Sequence, residues 1–245
     1  MDMIMCTLDM RDESCREQAK ALLNDKSSAV IMLGTEMVDG DIQLLREITT
    51  PFIVIDYWHG DMSFNAIKAN NEDSVRYAID YLIRKGHKQI GYLKGRFRIV
   101  PFKDRETGYR TGMLKAGLPV EEKYTLEVGT TMDAAYADMK RYLEEKIKLP
   151  TAFMADNDMI ALGAMKAMAE YGVRIPEEVS VIGFDDLPFS AISSPPLTTL
   201  RVPKQEIGRI ATRRLIQMIK ERQEAGVKIE VSTQFVERGS VKTIK

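Results

Sequence analysis

Residues 151–203 read TAFMADNDMIALGAMKAMAEYGVRIPEEVSVIGFDDLPFSAISSPPLTTLRVP. Two short apolar runs, 151–154 and 179–183, enclose a longer amphipathic stretch. Within that stretch Ile160, Gly163, Ala164, Ala167, Met168 and Tyr171 recur at helical spacing. Asp156 is placed to cap the helix, and Gly172 followed by Pro176 stops it. A fully apolar strand, a helix and a second fully apolar strand make the unit of a parallel sheet covered on both faces. Acidic and amide residues follow each strand at once: Asp156-Asn157-Asp158 after the first, Asp185-Asp186 after the second.

The same alternation extends outward. Further strands are expected at 3–8, 29–33, 52–55 and 89–93. After Asn71, read as an N-cap, Val75, Ala78, Ile79, Leu82 and Ile83 share a helical face, and Gly86 supplies a left-handed stop. After Pro203, Ile207, Ile210, Ala211, Leu215 and Met218 form another stripe. The chain has 245 residues, 44% of them hydrophobic, enough for one large or two modest cores. Its 35 Lys and Arg against 36 Asp and Glu give no net basic field, so this stretch is expected to bind nucleic acid poorly. The opening residues lack a basic segment before an apolar run, so neither an export signal nor a membrane span is read there. Cys6 and Cys15 are expected as free thiols of a reducing cytoplasm, and the 15 methionines as core filling.

In an open parallel sheet, ligands sit beyond the carboxyl ends of the strands. Four places there carry polar groups: Asp56 with Tyr57 and Trp58, the 156–158 triplet, Asp185-Asp186, and Arg105 near a helix start. Carboxylates, an amide and a guanidinium fork bind hydroxyls, and an aromatic face covers a sugar ring; the mixture suits a small polar ligand. Plainer roles compete. Asp156 or Asn157 can simply cap a helix, Asp185-Asp186 can make an Asx turn, Arg105 can pair with Asp104 or Glu106, and Trp58 can fill core. Enzyme chemistry finds no foothold. His59 and His87 fit no metal spacing, His87 reads as a structural residue at a helix C-terminus, and the nucleophile-elbow, dinucleotide and P-loop patterns are missing. No catalytic residue, cofactor or metal ligand is therefore assigned.

The stretch quoted above closely resembles the lactose/galactose-repressor (LacI/GalR) family of transcriptional regulators. Supporting segments are PFIVIDYW at 51–58, DSVRYAIDYLIRKGHKQIGYLKG at 73–95, DRETGYRTGMLKAGL at 104–118 and QFVERGS at 234–240. The resemblance implies an α/β fold of the periplasmic-binding-protein-like type: two doubly wound parallel-sheet lobes joined by three crossover strands, near 66–71, 200–203 and 231–235. The N-terminal lobe would comprise 1–68 plus 204–231, and the C-terminal lobe 69–203 plus 232–245. An effector would lie between the lobes, and the positions matching the family's ligand contacts are Asp56, Arg105, Asn157 and Asp185; Trp58 joins them as the aromatic beside Asp56. The resemblance also implies a cytoplasmic homodimer that reaches operator DNA through a helix-turn-helix headpiece. In this reading the sequence is expected to begin after that headpiece and after the family's first strand-helix unit, since 3–8 match its second strand and 13–24 its second helix. A periplasmic sugar receptor feeding a transporter shares this fold and is the alternative, disfavoured by PPLTTLRVP at 195–203.

Overall fold

Short runs of Val, Ile, Phe and Ala form the strands of the protein, and the amphipathic stretches between them form the helices. The computed structural model describes residues 29–37, 41–57, 64–221 and 225–244, without the side chain of Leu44. The expected strand at 3–8 and helix at 13–24, both cysteines, Trp58 and His59 lie outside those residues. The chain divides into two compact units, Met1–Lys68 with Lys204–Glu230, and Ala69–Pro203 with Val231–Lys245.

In the first unit, β1 (Val30–Leu33), β2 (Phe52–Ile55), β3 (Asn65–Ala69) and β9 (Lys228–Val231) form a sheet in that order, β1 and β3 both parallel to β2. A short helix, α1 (Ile42–Glu47), links β1 to β2, and α7 (Lys204–Glu221) packs against both strands. Ile207, Ala211 and Leu215 are its buried stripe; Ile210 and Met218, expected there too, are only half-buried. Buried Arg214 donates to Asn65 Oδ1 at 2.9 Å, so a charge on the inner face of α7 meets an acceptor on β3.

The second unit holds a six-stranded sheet ordered β10-β8-β7-β6-β4-β5. Its members are β4 (Ile90–Gly95), β5 (Thr125–Val128), β6 (Ala152–Ala155), β7 (Ser180–Asp185), β8 (Thr198–Arg201) and β10 (Gln234–Val236), with a short helix, α6 (Pro188–Ile192), between β7 and β8. All pairs are parallel except β10 with β8; an antiparallel edge needs no crossover helix. Successive side chains go to opposite faces. Ile90, Tyr92, Met154, Ile182 and Phe184 join one core with α2 (Asn71–Arg84) and α3 (Val100–Lys115). Leu93, Phe153, Ala155 and Val181 join the other with α4 (Met132–Glu144) and α5 (Asp158–Glu170).

One helix start differs from the sequence reading by one residue, and at another the structure chooses between the two caps that the sequence offered. Asn70, not Asn71, caps α2, accepting from the Asp73 amide at 3.2 Å, and Asn157, not Asp156, caps α5, accepting from the Ile160 amide at 2.9 Å. In both places a second polar residue stands beside the cap, and tertiary partners decide which one is drawn away. Tyr171 also leaves the expected stripe: it is 42% exposed and donates through its hydroxyl to Glu144. Beyond Gly86, whose φ of 92° ends α2, His87 is fully buried, with Nδ1 3.0 Å from Thr151 Oγ1 and Nε2 3.2 Å from the Lys242 carbonyl oxygen. Burial pushes its pKa below the ordinary histidine value, the structural role read from the sequence. Ser240, also buried, donates to the Val181 carbonyl and accepts from the Thr198 amide, binding 237–244 to the sheet.

Candidate functional site

Arg105 is a buried cation on α3, which makes its surroundings the place where a ligand-binding role can be judged. Gly108, three residues on, brings α3 close: a Cβ there would lie 2.3 Å from the Glu72 carbonyl oxygen on α2. With the helices so close, Arg105 Nε donates to Asn71 Oδ1 at 2.9 Å and Nη1 to the Asp156 carbonyl at 2.5 Å. The guanidinium carbon stands 3.6 Å from the centroid of the Phe184 ring. Nη2 faces Asp185 Oδ1 at 3.5 Å. One side of the fork is thus fixed by neutral acceptors and an aromatic face, and the other meets a half-buried carboxylate.

Asp156 was read as a cap; it instead anchors the loop after β4. Its carboxylate is fully buried, accepting from the Tyr92 hydroxyl, from the Gly95 amide at 2.6 Å and from Arg98 Nη1 at 3.4 Å. Burial pushes its pKa up to about 6, against the lowering pull of those donors. Arg98 also donates to Glu106 at 2.6 Å, and Glu106 further receives Lys94 and Arg110. Burial alone would raise the Glu106 pKa, but these cations outweigh it and hold the carboxyl below its usual range.

Asp158, in the first turn of α5, ties the other side of the site. It accepts from Ser190 and Thr199 hydroxyls, both at 2.6 Å, and from the Leu187 amide at 2.8 Å; burial raises its pKa to about 6. Gly183 permits this, because a Cβ there would fall 2.2 Å from Asp158 Oδ1. Asp186 receives Arg201 Nε and Arg238 Nη2, each at 2.6 Å. Burial would raise its pKa, and the two guanidinium groups overcome that and lower it.

Of the residues singled out from the sequence, Arg105 and Asp185 meet directly. Asn157 follows Asp156 at the carboxyl end of β6, its side-chain oxygen committed to the cap and its Nδ2 amide remaining as a donor. Asp56 stands at the carboxyl end of β2 in the first unit, half-buried, with φ 63° and its amide donating to the Ile67 carbonyl at 3.0 Å. Tyr57 beside it is fully buried, and Trp58 lies outside the described residues. Sequence reasoning missed Arg98, Asn71 as a partner of Arg105, Phe184 against its guanidinium, and Tyr92 as a donor to Asp156. Arg98 sits in an aperiodic loop, and the others look like ordinary helix and strand residues until the sheet is assembled.

Among the described residues no group of three or more His, Cys, Asp or Glu side chains could hold a metal ion, and no helix is long and apolar enough to cross a membrane. A sequence profile of the periplasmic binding protein-like domain matches residues 79–241. The transcriptional repressor PurR of Pasteurella multocida (strain Pm70) is 30% identical over 98% of this chain and 72% of its own length. The chain belongs to the LacI/GalR family of transcriptional regulators. Two solved structures of this kind show how far the likeness reaches. The transcriptional regulator CelR in complex with cellobiose superposes with a TM-score of 0.84 at 26% identity, over 94% of this chain and 71% of that one. A sugar-binding regulator of the LacI family from Escherichia coli, complexed with phosphate, gives 0.82 at 26% identity, over 94% and 82%. The chain corresponds to the effector-binding core of such regulators, and its relatives favour a regulator over a transport receptor.

Proposed function

We propose that this LacI/GalR core senses a small polar effector, a sugar or sugar derivative, through Arg105, Asp185 and Asn157 at the carboxyl ends of the second unit's strands. The observation that carries the reading is the Arg105 fork: two of its nitrogens are held by Asn71 and the Asp156 carbonyl, and the third meets Asp185 at 3.5 Å. A guanidinium so fixed before the ligand arrives loses little entropy in gripping hydroxyl or acidic oxygens. Asp185 accepts from hydroxyls and the Asn157 amide donates. Asp56 belongs to the proposed contact set on its place at a strand's carboxyl end and on the family resemblance, and Trp58 as the aromatic beside it in sequence.

In the complete regulator, a cytoplasmic homodimer, effector occupancy shifts a two-state equilibrium by its differential affinity for the two states and so alters operator binding by the headpieces. The core carries no reaction of its own. Support for a carbohydrate comes from the cellobiose complex and the sugar-binding regulator among the similar structures. The test is a thermal-shift screen of the chain against sugars, sugar phosphates and other small polar metabolites. A ligand at 100 times its Kd stabilises the native state by about 2.7 kcal/mol. The hit is expected to vanish in Arg105→Ala and in Asp185→Asn while both variants stay folded; binding that survives both substitutions discards the site.

A further inference from the structure

Asp185 and Asp186 combine two features that ordinary strand ends do not. Both have left-handed backbone angles, φ 111° at Asp185 and 51° at Asp186, in residues that carry a Cβ. Such conformations cost a non-glycine residue free energy and persist only where the surroundings over-determine them. Here the surroundings do so from three directions. The Asp186 carboxylate is clasped by Arg201 of β8 and by Arg238, both at 2.6 Å, and it is 8% exposed. Arg238 is itself fixed, Nη1 donating to the Leu197 carbonyl at 2.7 Å and its backbone amide to Thr198 Oγ1 at 2.9 Å. One residue further on, the Leu187 amide is held by Asp158 at 2.8 Å. On the other side, Asp185 is in register with Arg201 in the β7–β8 ladder. The chain is therefore pinned before and after the strained peptide.

We propose that Asp186, clamped by Arg201 and Arg238, is a positioning residue that holds Asp185 in its strained conformation and so presents the Asp185 carboxylate beside Arg105 for the effector. The functional meaning rests on Asp185 being an effector contact; the clamp itself does not. Arg238, near the end of the second unit's last segment, thereby acts on the ligand site through Asp186 without touching the ligand. The lowered Asp186 pKa agrees with a carboxylate kept ionised between two guanidinium groups.

The experiment is a double-mutant cycle read by urea unfolding, with no ligand present. Asp185→Gly and Asp185→Ala both delete the ion pair with Arg105, so their difference reports the backbone preference at position 185 in the folded and unfolded chain, and its change between backgrounds reports the folded conformation. With the clamp intact, glycine accepts φ 111° at no steric cost and the Gly variant is the more stable, by roughly tenfold in folding equilibrium constant. In an Arg238→Ala background the residue relaxes, and the ordering reverses, because glycine then brings only its larger unfolded-state entropy. Arg238→Lys keeps a cation near Asp186 and is expected to restore part of the gap. Arg201→Ala, which removes the more exposed clamp, supplies a milder break should Arg238→Ala not fold. A Gly-to-Ala difference that is the same with and without the clamp overturns the proposal. Because no effector enters the cycle, that result is separate from failure of the thermal-shift screen, which bears on the effector reading alone.

Discussion

Asn157 shows how one side chain can serve two purposes that a suitable pair of substitutions separates. Its oxygen caps α5 and its amide is proposed to face the effector. Asn157→Ala is expected to cost about 1 kcal/mol in urea unfolding and to weaken effector binding. Asn157→Asp keeps the cap and removes the donor, so stability should stay near wild type while affinity falls. Affinity retained in Asn157→Asp would leave only the capping role. Gly183 is a second residue whose identity is dictated by a neighbour. In Gly183→Ala the new methyl would meet Asp158 Oδ1 at 2.2 Å, displacing a carboxylate that ties down Ser190, Thr199 and the Leu187 amide. A destabilisation of roughly 2–3 kcal/mol is expected, in the range of overpacked sites with a disturbed buried polar group.

At the scale of elements, α2 and α3 meet where Gly108 lets Arg105 reach Asn71. Gly108→Ala forces the helices apart against the Glu72 carbonyl, and its effect should appear in two measurements at once: a lower urea midpoint, and effector affinity reduced about as far as in Asn71→Ala. Affinity unchanged in Gly108→Ala would mean that the helix spacing does not set the Arg105 fork. Much at this scale was readable from the chain. The strand at 52–55 and the runs around 90, 152 and 180 are apolar on both faces, which only a covered parallel sheet satisfies, and the stripe from Val75 to Leu82 needs a helix. Arg105 and Asp185 stood out because strand ends and helix starts are where polar groups gather. The network behind them was not readable: Asn71, Tyr92, Gly95, Arg98 and Asp156 come from segments far apart in sequence, and only the assembled sheet brings them together. The cap misplaced to Asn71, and the choice left open between Asp156 and Asn157, have the same origin, since propensity cannot rank two adjacent polar residues when a distant partner claims one of them.

At the scale of the whole molecule, pH should act through two opposing sets of carboxylates. Asp156 and Asp158 have folded pKa values near 6, above the value of about 4 for an unfolded aspartate. Between those values the folded state holds more protons than the unfolded state, so this contribution to stability grows as pH falls from about 7 to about 5. One pKa unit corresponds to about 1.4 kcal/mol, so the two groups together can supply a few kcal/mol. Glu106, Asp186 and Glu237 are shifted down, and what they contribute is lost as pH drops below about 4. The melting temperature is therefore expected to peak in mildly acid solution. Asp156→Asn combined with Asp158→Asn should flatten the rise between pH 7 and 5. A melting temperature that falls steadily from 7 to 5 in the parent chain contradicts the account.

The second unit is written in two pieces, with 204–230 belonging to the first unit in between, and buried Ser240 joins β7 to β8 from the far piece. During synthesis the ribosome will have released most of the six-stranded sheet before the segment that seals it exists. Until that segment follows, apolar strand edges stand open to other nascent chains, so folding of the second unit is expected to be completed only once 231–244 has been made.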